Sequence, residues 1–140
     1  MESLLLVHVV STWFMTGVIW TVQVVHYPLF CYTDGEWFRP FMADHARRIT
    51  RIVGPAMLLE LATGIGLALY PHVQMSAVQG WLGLGLITLI WASTYLLQIP
   101  EHRILAVGYH PAAHRRLVTG NWIRTCLWTV RAVLVCTWIA

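Results

Sequence analysis

The amino-acid sequence predicts an all-α fold: a four-transmembrane-helix bundle with an amphipathic interfacial segment between helices 1 and 2. The chain has 140 residues, of which 58% are hydrophobic and 11% are charged. A soluble core of this size cannot cover so much apolar surface, so the surplus has to face lipid. Stretches long enough to span a bilayer occupy residues 4–30, 52–70, 78–100 and 120–140. We therefore predict one integral membrane domain over residues 1–140, with the lipid bilayer as its partner.

The basic residues predict how the bundle is oriented. All nine are arginines, and seven of them lie in or beside the first and third loops: Arg39, Arg47, Arg48, Arg51, Arg103, Arg115 and Arg116. Under the positive-inside rule these loops are cytoplasmic and both termini lie outside, as expected for a bacterial inner membrane protein. A nucleic-acid partner is excluded because the aromatic residues lie in the membrane spans. A homo-oligomer is compatible with the sequence.

The first span carries a polar stripe. Its members recur at intervals of three, four and seven residues, which places them on one helix face: His8, Thr12, Thr16, Gln23 and His26. We interpret His8 as an interfacial residue near the outer headgroups. His26 lies at the inner end of the span, where Pro28 ends the helix.

Residues 31–50 predict a segment that lies in the membrane interface, because aromatic residues alternate there with charged ones. Two interpretations of His45 stay open: it belongs to a solvated charged face, or it folds back under the bundle towards His26. In the third loop, residues 101–119, Gly108 and Pro111 are expected to break any helix. His114 is then a solvated loop residue.

The last span is apolar but carries polar side chains on a single helical face: Asn121, Arg124, Thr125, Trp128 and Arg131. Because buried charges need partners in a bilayer, this face has to point into the protein. Glu60 is the single acid in a span, and it lies about 18 Å above Arg48 at 1.5 Å per residue. Arg131 lies about 15 Å above Asn121 by the same rise, so we predict a Glu60–Arg131 ion pair near the membrane centre.

The other polar residues concentrate in the cytoplasmic half of the bundle, which predicts a cavity there. We expect His26, His102, Asn121 and Arg124 to be its catalytic residues, because histidine moves protons and arginine or asparagine can hold a carbonyl, phenolate or carboxylate. Cofactor-binding candidates are Gln23, Gln98, Glu60 and Arg131. A metal would use imidazole and carboxylate ligands from separate helices, namely His26, His45, His102 and Glu60.

Two stretches resemble a known family. The segment RRLVTGNWIRTCLWTV in the last span, together with GVIWTVQVVHYPLF in the first, is similar to the small four-helix membrane family that includes fungal anthrone oxygenases. This resemblance covers about a third of the chain. It implies oxygenation of a polyphenolic substrate without an obvious cofactor, carried by His26, Asn121 and Arg124.

A second resemblance involves His8 with TWFMTG, and the stretches VGPAMLLELATGIGLAL and GWLGLGLITLI. These resemble the haem-binding membrane protoporphyrinogen oxidase of bacteria, which also has four helices. Gly85 stands near the position of that family's lysine, so the sequence departs from its pattern there. This departure weakens the case for haem ligation by that route. The cofactor stays unknown, and a haem or a transition metal is compatible with the sequence.

The residues and the first resemblance together favour an oxidoreductase-like membrane protein that acts on a lipophilic quinone- or phenol-like molecule. The alternative is a non-catalytic accessory subunit, or a carrier of a lipophilic ligand or haem, in which the internal polar residues only specify helix register. An absorbance spectrum of the purified protein separates the two hypotheses.

Overall fold

The computed structural model describes residues 2–33 and 35–139, so Met1, Asp34 and Ala140 lie outside it. Its elements follow in chain order: α1 (Glu2–Thr21), a first π-helical segment (Val22–His26), two 3-10 turns (Pro28–Tyr32 and Gly35–Trp37), α2 (Phe38–Leu69), α3 (Ala77–Ser93), a second π-helical segment (Thr94–Gln98), α4 (Ile99–Ala106) and α5 (Pro111–Cys136). None of the described residues forms a strand, which confirms the all-α class for that part of the chain.

Three helical stretches are long and apolar enough to cross a membrane: Glu2–Tyr32, Gly35–Leu69 and Ala77–Ala106. The last of these is one continuous helical column made of α3, the second π-helical segment and α4. Large apolar side chains point outward, for example Leu96, which is 67% exposed. The residues therefore suit a lipid environment, as the composition predicts.

The interfacial segment expected at residues 31–50 is not a separate element, and this prediction was wrong. Helix α2 begins at Phe38, whereas the sequence predicted a span that begins only at residue 52. The helix continues past Pro55 to Leu69. Asp44 pairs with Arg47 and Arg48 one turn along the outward face, which stabilises the polar part of the helix. The alternation of aromatic and charged residues thus marks a helix that is half buried and half solvated.

The third loop is also shorter than expected, because residues 107–110 alone connect α4 to α5. His110 caps α5 by accepting a hydrogen bond at Nδ1 from the Ala113 N–H, and Pro111 takes the first helical position, where its missing donor costs nothing. Pro111 therefore starts a helix instead of breaking one. As a consequence, Asn121 and Arg124 lie inside α5 and not in its first turn.

Small residues let the helices approach closely near the α2–α3 connection. A Cβ atom at Gly80 would lie 3.0 Å from the Leu67 carbonyl oxygen and 3.1 Å from the Ala68 Cα atom. Because backbone atoms cannot move aside, only glycine fits at this crossing. Gly85 is different, since an added Cβ atom would meet nothing within 4 Å.

Candidate functional site

The two π-helical segments border one cavity at the basic end of the bundle. Each precedes a proline, Pro28 or Pro100, whose ring would clash with the carbonyl four residues earlier in a regular α-helix. The wider π turn removes this conflict: Tyr27 N–H bonds the Val22 carbonyl, five residues earlier, at 2.9 Å. π turns inside α-helices are frequent at functional sites.

The cavity has a volume of about 140 Å³ and is enclosed by α1, α2, α5 and the α3–α4 column. Four of its lining side chains carry strong hydrogen-bonding groups: Tyr27, Gln98, His102 and Arg124. Most of the remaining wall is apolar, including Met57 from α2. An apolar cavity of about 150 Å³ holds one benzene molecule, so this space suits a single aromatic ring.

Arg124 and two side-chain amides form a hydrogen-bonded chain behind the cavity. Arg124 Nη1 donates to Asn121 Oδ1 at 3.2 Å, Asn121 Nδ2 donates to Gln23 Oε1 at 2.9 Å, and Gln23 Nε2 donates to the Val118 carbonyl at 3.1 Å. Because a guanidinium only donates, it fixes the orientation of both amides. Arg124 Nε is buried and has no hydrogen-bond partner in the part of the chain described.

Gln98 is the second group that lacks partners. Its side chain is 1% exposed, and neither its Oε1 nor its Nε2 atom finds a hydrogen-bond partner among residues 2–33 and 35–139. Nε2 lies close to the α5 backbone, 3.3 Å from where a Cβ atom would stand at Gly120. A buried amide without partners costs about 1–3 kcal/mol. Gln98 also lines the cavity, so a ligand or a water molecule there would satisfy these atoms once the amide turns towards it.

Three histidines and a tyrosine lie on the solvent side of the cavity. Tyr27 Oη is 2.9 Å from His102 Nε2, and His26 Nε2 is 2.8 Å from His45 Nδ1. The rings of His45 and His102 stack with their centroids 5.6 Å apart. His45 therefore does fold back under the bundle to His26, and a proton can pass along the hydrogen bond within each of the two pairs.

His114 stabilises the backbone at Tyr27 through a hydrogen bond, although the sequence predicted a solvated loop residue. It is buried in α5, and its Nε2 atom donates to the Tyr27 carbonyl at 2.7 Å. Nδ1 is 3.1 Å from Tyr109 Oη. The carbonyl of Tyr27 is thereby satisfied where the helix gives way to the 3-10 turn at Pro28.

The Glu60–Arg131 ion pair predicted from helical depth is present, with 3.1 Å between Glu60 Oε1 and Arg131 Nε. Both side chains are almost fully buried. Glu60 also accepts hydrogen bonds from Thr12 Oγ1 at 2.8 Å and from Trp128 Nε1 at 3.1 Å. Arg131 Nη1 donates to the Gly83 carbonyl at 2.5 Å. The pair is therefore satisfied by the protein itself, with no atom left for a cofactor.

His8 belongs to the same network, and its prediction as an interfacial residue was wrong. The side chain is fully buried, with Nε2 2.9 Å from Arg131 Nη2 and Nδ1 2.8 Å from Thr63 Oγ1. Because arginine only donates, Nε2 has to accept, so Nδ1 carries the proton and donates to Thr63. The ring of His8 stacks on Trp138 at 5.6 Å, which closes the outer side of the network.

Trp128 separates the network from the cavity. Its indole N–H bonds Glu60, while the guanidinium carbon of Arg124 lies 5.2 Å from the centre of the indole ring. The side chain is fully buried. The polar interior thus consists of two compartments, a saturated one formed by His8, Thr12, Glu60 and Arg131, with the unpartnered indole N–H of Trp138 at its edge, and an unsaturated one around Arg124 and Gln98.

The predicted catalytic residues are brought together in part. His102 and Arg124 line the cavity, and Asn121 accepts a hydrogen bond from Arg124. His26 bonds His45, which stacks on His102, so neither His26 nor His45 lines the cavity. All roles assigned to them remain predictions.

The cofactor-binding assignments stay predictions, whereas the metal set needs correction. Gln98 has no hydrogen-bond partner in the part of the chain described, while Gln23, Glu60 and Arg131 bond protein groups. The predicted metal ligands do not come together, because Glu60 lies in the other compartment from the histidines. Residues 2–33 and 35–139 contain no group of three His, Cys, Asp or Glu side chains placed to hold a metal ion.

Sequence reasoning missed Tyr27 and did not assign Trp128 a role at the site. A signal for Tyr27 was present: it stands between His26 and Pro28, where a proline that follows a polar helical face marks an irregular turn. The sequence placed Trp128 on the polar face. Because its ring has both an apolar body and a polar N–H, the sequence could not tell whether it contacts a ligand or separates two compartments. No family model, curated protein or solved structure matches the chain.

Proposed function

We propose that the chain is a membrane-embedded, oxidoreductase-like protein that binds one lipophilic phenol- or quinone-like molecule in the cavity. One observation carries the proposal: a ring-sized cavity is lined by Arg124 and Gln98, and both side chains carry buried hydrogen-bonding atoms that have no partner in the part of the chain described. Polar groups of this kind are normally satisfied, so their pairing with an apolar wall favours a ligand that has a ring and an oxygen atom.

The side chains suit the two oxidation states of such a ring. Arg124 and the Gln98 amide N–H donate to a quinone carbonyl or to a phenolate, and the Gln98 carbonyl accepts from a phenol hydroxyl. Tyr27 and His102 form a hydrogen-bonded pair in the same wall, which can give or take the proton that accompanies the change. The resemblance to the anthrone oxygenase family adds support for a polyphenolic ring.

The proposal includes the orientation in the membrane. The cavity lies at the end of the bundle that carries the arginine-rich loops, so the positive-inside rule places it towards the cytoplasm, with both termini outside. Helix α5 is then the fourth membrane span. Its inward face carries Arg124 and Arg131 and is buried against α1 and the α3–α4 column. Neither arginine is therefore exposed to lipid.

A second candidate is a non-catalytic accessory subunit that binds the same ligand. The saturated network of Glu60 and Arg131 favours it, because those polar groups fix the packing of α1, α2 and α5 and take no part in chemistry. The two candidates predict the same binding site. They differ in whether the bound ligand is chemically converted.

Binding is tested on the purified protein in detergent. We expect co-purified quinone or phenol absorbance, or stabilisation on adding the single-ring probe methyl-benzoquinone, since a ligand that binds the folded state raises the unfolding temperature. The Gln98→Leu variant should weaken methyl-benzoquinone binding about tenfold, the scale of losing one or two hydrogen bonds. Arg116→Leu is the control, because Arg116 lies at the surface, paired with Glu101. Equal stabilisation of wild type and Gln98→Leu would contradict the assigned site.

A further inference from the structure

A membrane-facing groove runs along the contact between α1 and α2, outside the cavity. It has a volume of about 590 Å³, and its walls are almost entirely aliphatic and aromatic. Its lining extends from Trp13 to His26, roughly 20 Å at the helical rise of 1.5 Å per residue. The groove is therefore much longer than a single ring.

The groove and the cavity share a wall. Val18, Val22 and Ile49 line both of them, and His26 lies at the end of the groove that is nearest the histidines. Gly17 leaves the middle of the groove open, since a Cβ atom at this position would meet nothing within 4 Å. Three branched side chains thus separate lipid from the unpartnered polar groups of the site.

We propose that this groove binds the apolar chain of the ligand whose ring occupies the cavity, and that the ligand enters sideways from the bilayer. The inference rests on the proposed function and specifies its ligand class: a phenol or quinone ring that carries an alkyl or isoprenoid chain. The cavity supplies hydrogen bonds and space for the ring alone. The groove supplies an apolar path that starts at the shared wall and opens to lipid, which suits a chain that stays in the membrane.

The experiment compares two probes in lipid nanodiscs, the tail-free dimethoxy-methyl-benzoquinone head and its decyl derivative. Dissociation constants are expressed as the amount of probe per amount of lipid. The partition of the decyl tail into the bilayer then does not affect the comparison of the two probes. Gly17→Trp fills the groove, and Gly17→Leu fills it less. Gly85→Trp is the matched control, because Gly85 is also an exposed helical glycine with open space around it, but on α3.

We expect Gly17→Trp to weaken binding of the decyl probe by roughly tenfold or more, the scale of a steric conflict in an apolar contact, with a smaller effect for Gly17→Leu. The head probe should bind wild type and all variants alike. Unchanged binding of the decyl probe in both Gly17 variants would overturn the inference and leave the groove to ordinary lipid. Equal weakening of both probes would also overturn it, since the variant would then disturb the cavity itself. If neither probe binds the wild type, the proposed function fails, and this inference fails with it.

Discussion

Two glutamines of the interior show how differently the same side chain can be used. Gln23 has both ends of its amide engaged, by Asn121 and by the Val118 carbonyl. Gln98 is equally buried, yet both ends of its amide lack partners in the described residues. The first amide belongs to the structure, and the second is available to a ligand.

This contrast predicts opposite effects of the same substitution. Gln98→Leu should leave the free energy of unfolding unchanged or raise it by about 1 kcal/mol, because an unsatisfied buried amide is removed. Gln23→Leu should lower it by about 1–3 kcal/mol, because Asn121 loses its acceptor. Denaturant unfolding of the two variants in the same detergent measures both values. A loss of stability of similar size in both would show that Gln98 has a structural partner after all.

The Glu60–Arg131 pair gives a second prediction at this scale. Glu60→Gln or Arg131→Met alone should destabilise the protein by about 3–5 kcal/mol, because each leaves a buried charge without its counter-ion. The double variant should cost less than the sum of the two single changes, since neither charge then remains. Thermal and chemical unfolding of the three variants measures this cycle. Strictly additive losses would mean that the two side chains act independently.

The sequence was sufficient for this pair because helical rise alone equates the depths of two side chains in different spans. It was not sufficient for His8. A histidine near the end of an apolar stretch looks interfacial by position, and only the packing of Thr63 and Arg131 around it shows that it is internal. Which buried polar atoms remain unsatisfied, as in Gln98, depends on the positions of all neighbours and cannot be read from composition.

Among the elements, the second π-helical segment is the one that positions Gln98. It ends at Gln98, and Pro100 follows two residues later. A π turn holds one residue more than an α turn. Its loss would therefore rotate the residues that precede the segment by about 100° relative to the residues that follow it.

We therefore expect Pro100→Ala to let this segment return to α-helix and to weaken methyl-benzoquinone binding by about tenfold, the scale of one or two lost hydrogen bonds. Stability should not fall, because alanine restores a backbone donor and has a higher helix propensity than proline. Pro55→Ala is the control, since Pro55 lies in α2 without a π turn. Ligand binding that survives Pro100→Ala unchanged would rule out a role for the π turn in the site.

The helices themselves were predicted well, and their ends were not. Residues 38–50 of α2 were assigned to the interface because aromatic residues alternate there with charged ones, although a helix can leave the bilayer without ending. The start of α5 was missed because Pro111 suits both a loop and the first turn of a helix. In both places the helix continues into the polar region, where composition and helical periodicity give conflicting signals.

For the whole molecule, the testable property is orientation. Cys31 is exposed beside the histidine end of the bundle, and Val73 is 94% exposed in the connection between α2 and α3. With Cys126 and Cys136 replaced by alanine, a membrane-impermeant maleimide should label Cys31 in inside-out vesicles but not in intact spheroplasts.

A Val73→Cys variant that also carries Cys31→Ala should show the opposite pattern and serves as the control. Labelling of Cys31 in intact spheroplasts would place the basic loops outside and reverse the proposed topology.

The saturated network around Glu60 and Arg131 has a consequence for the permeability of the membrane. Every polar atom of His8, Thr12, Glu60 and Arg131 that is buried in the bundle has a protein partner, and Trp128 closes the way from this network to the cavity. Trp128 therefore separates the two polar compartments of the described residues, and we expect the bundle not to conduct protons. Liposomes that contain the protein should hold a proton gradient as long as empty ones, measured with an enclosed pH-sensitive dye. On the proposed function, the ring in the cavity would then exchange its protons with one side of the membrane only, while its chain stays in the bilayer.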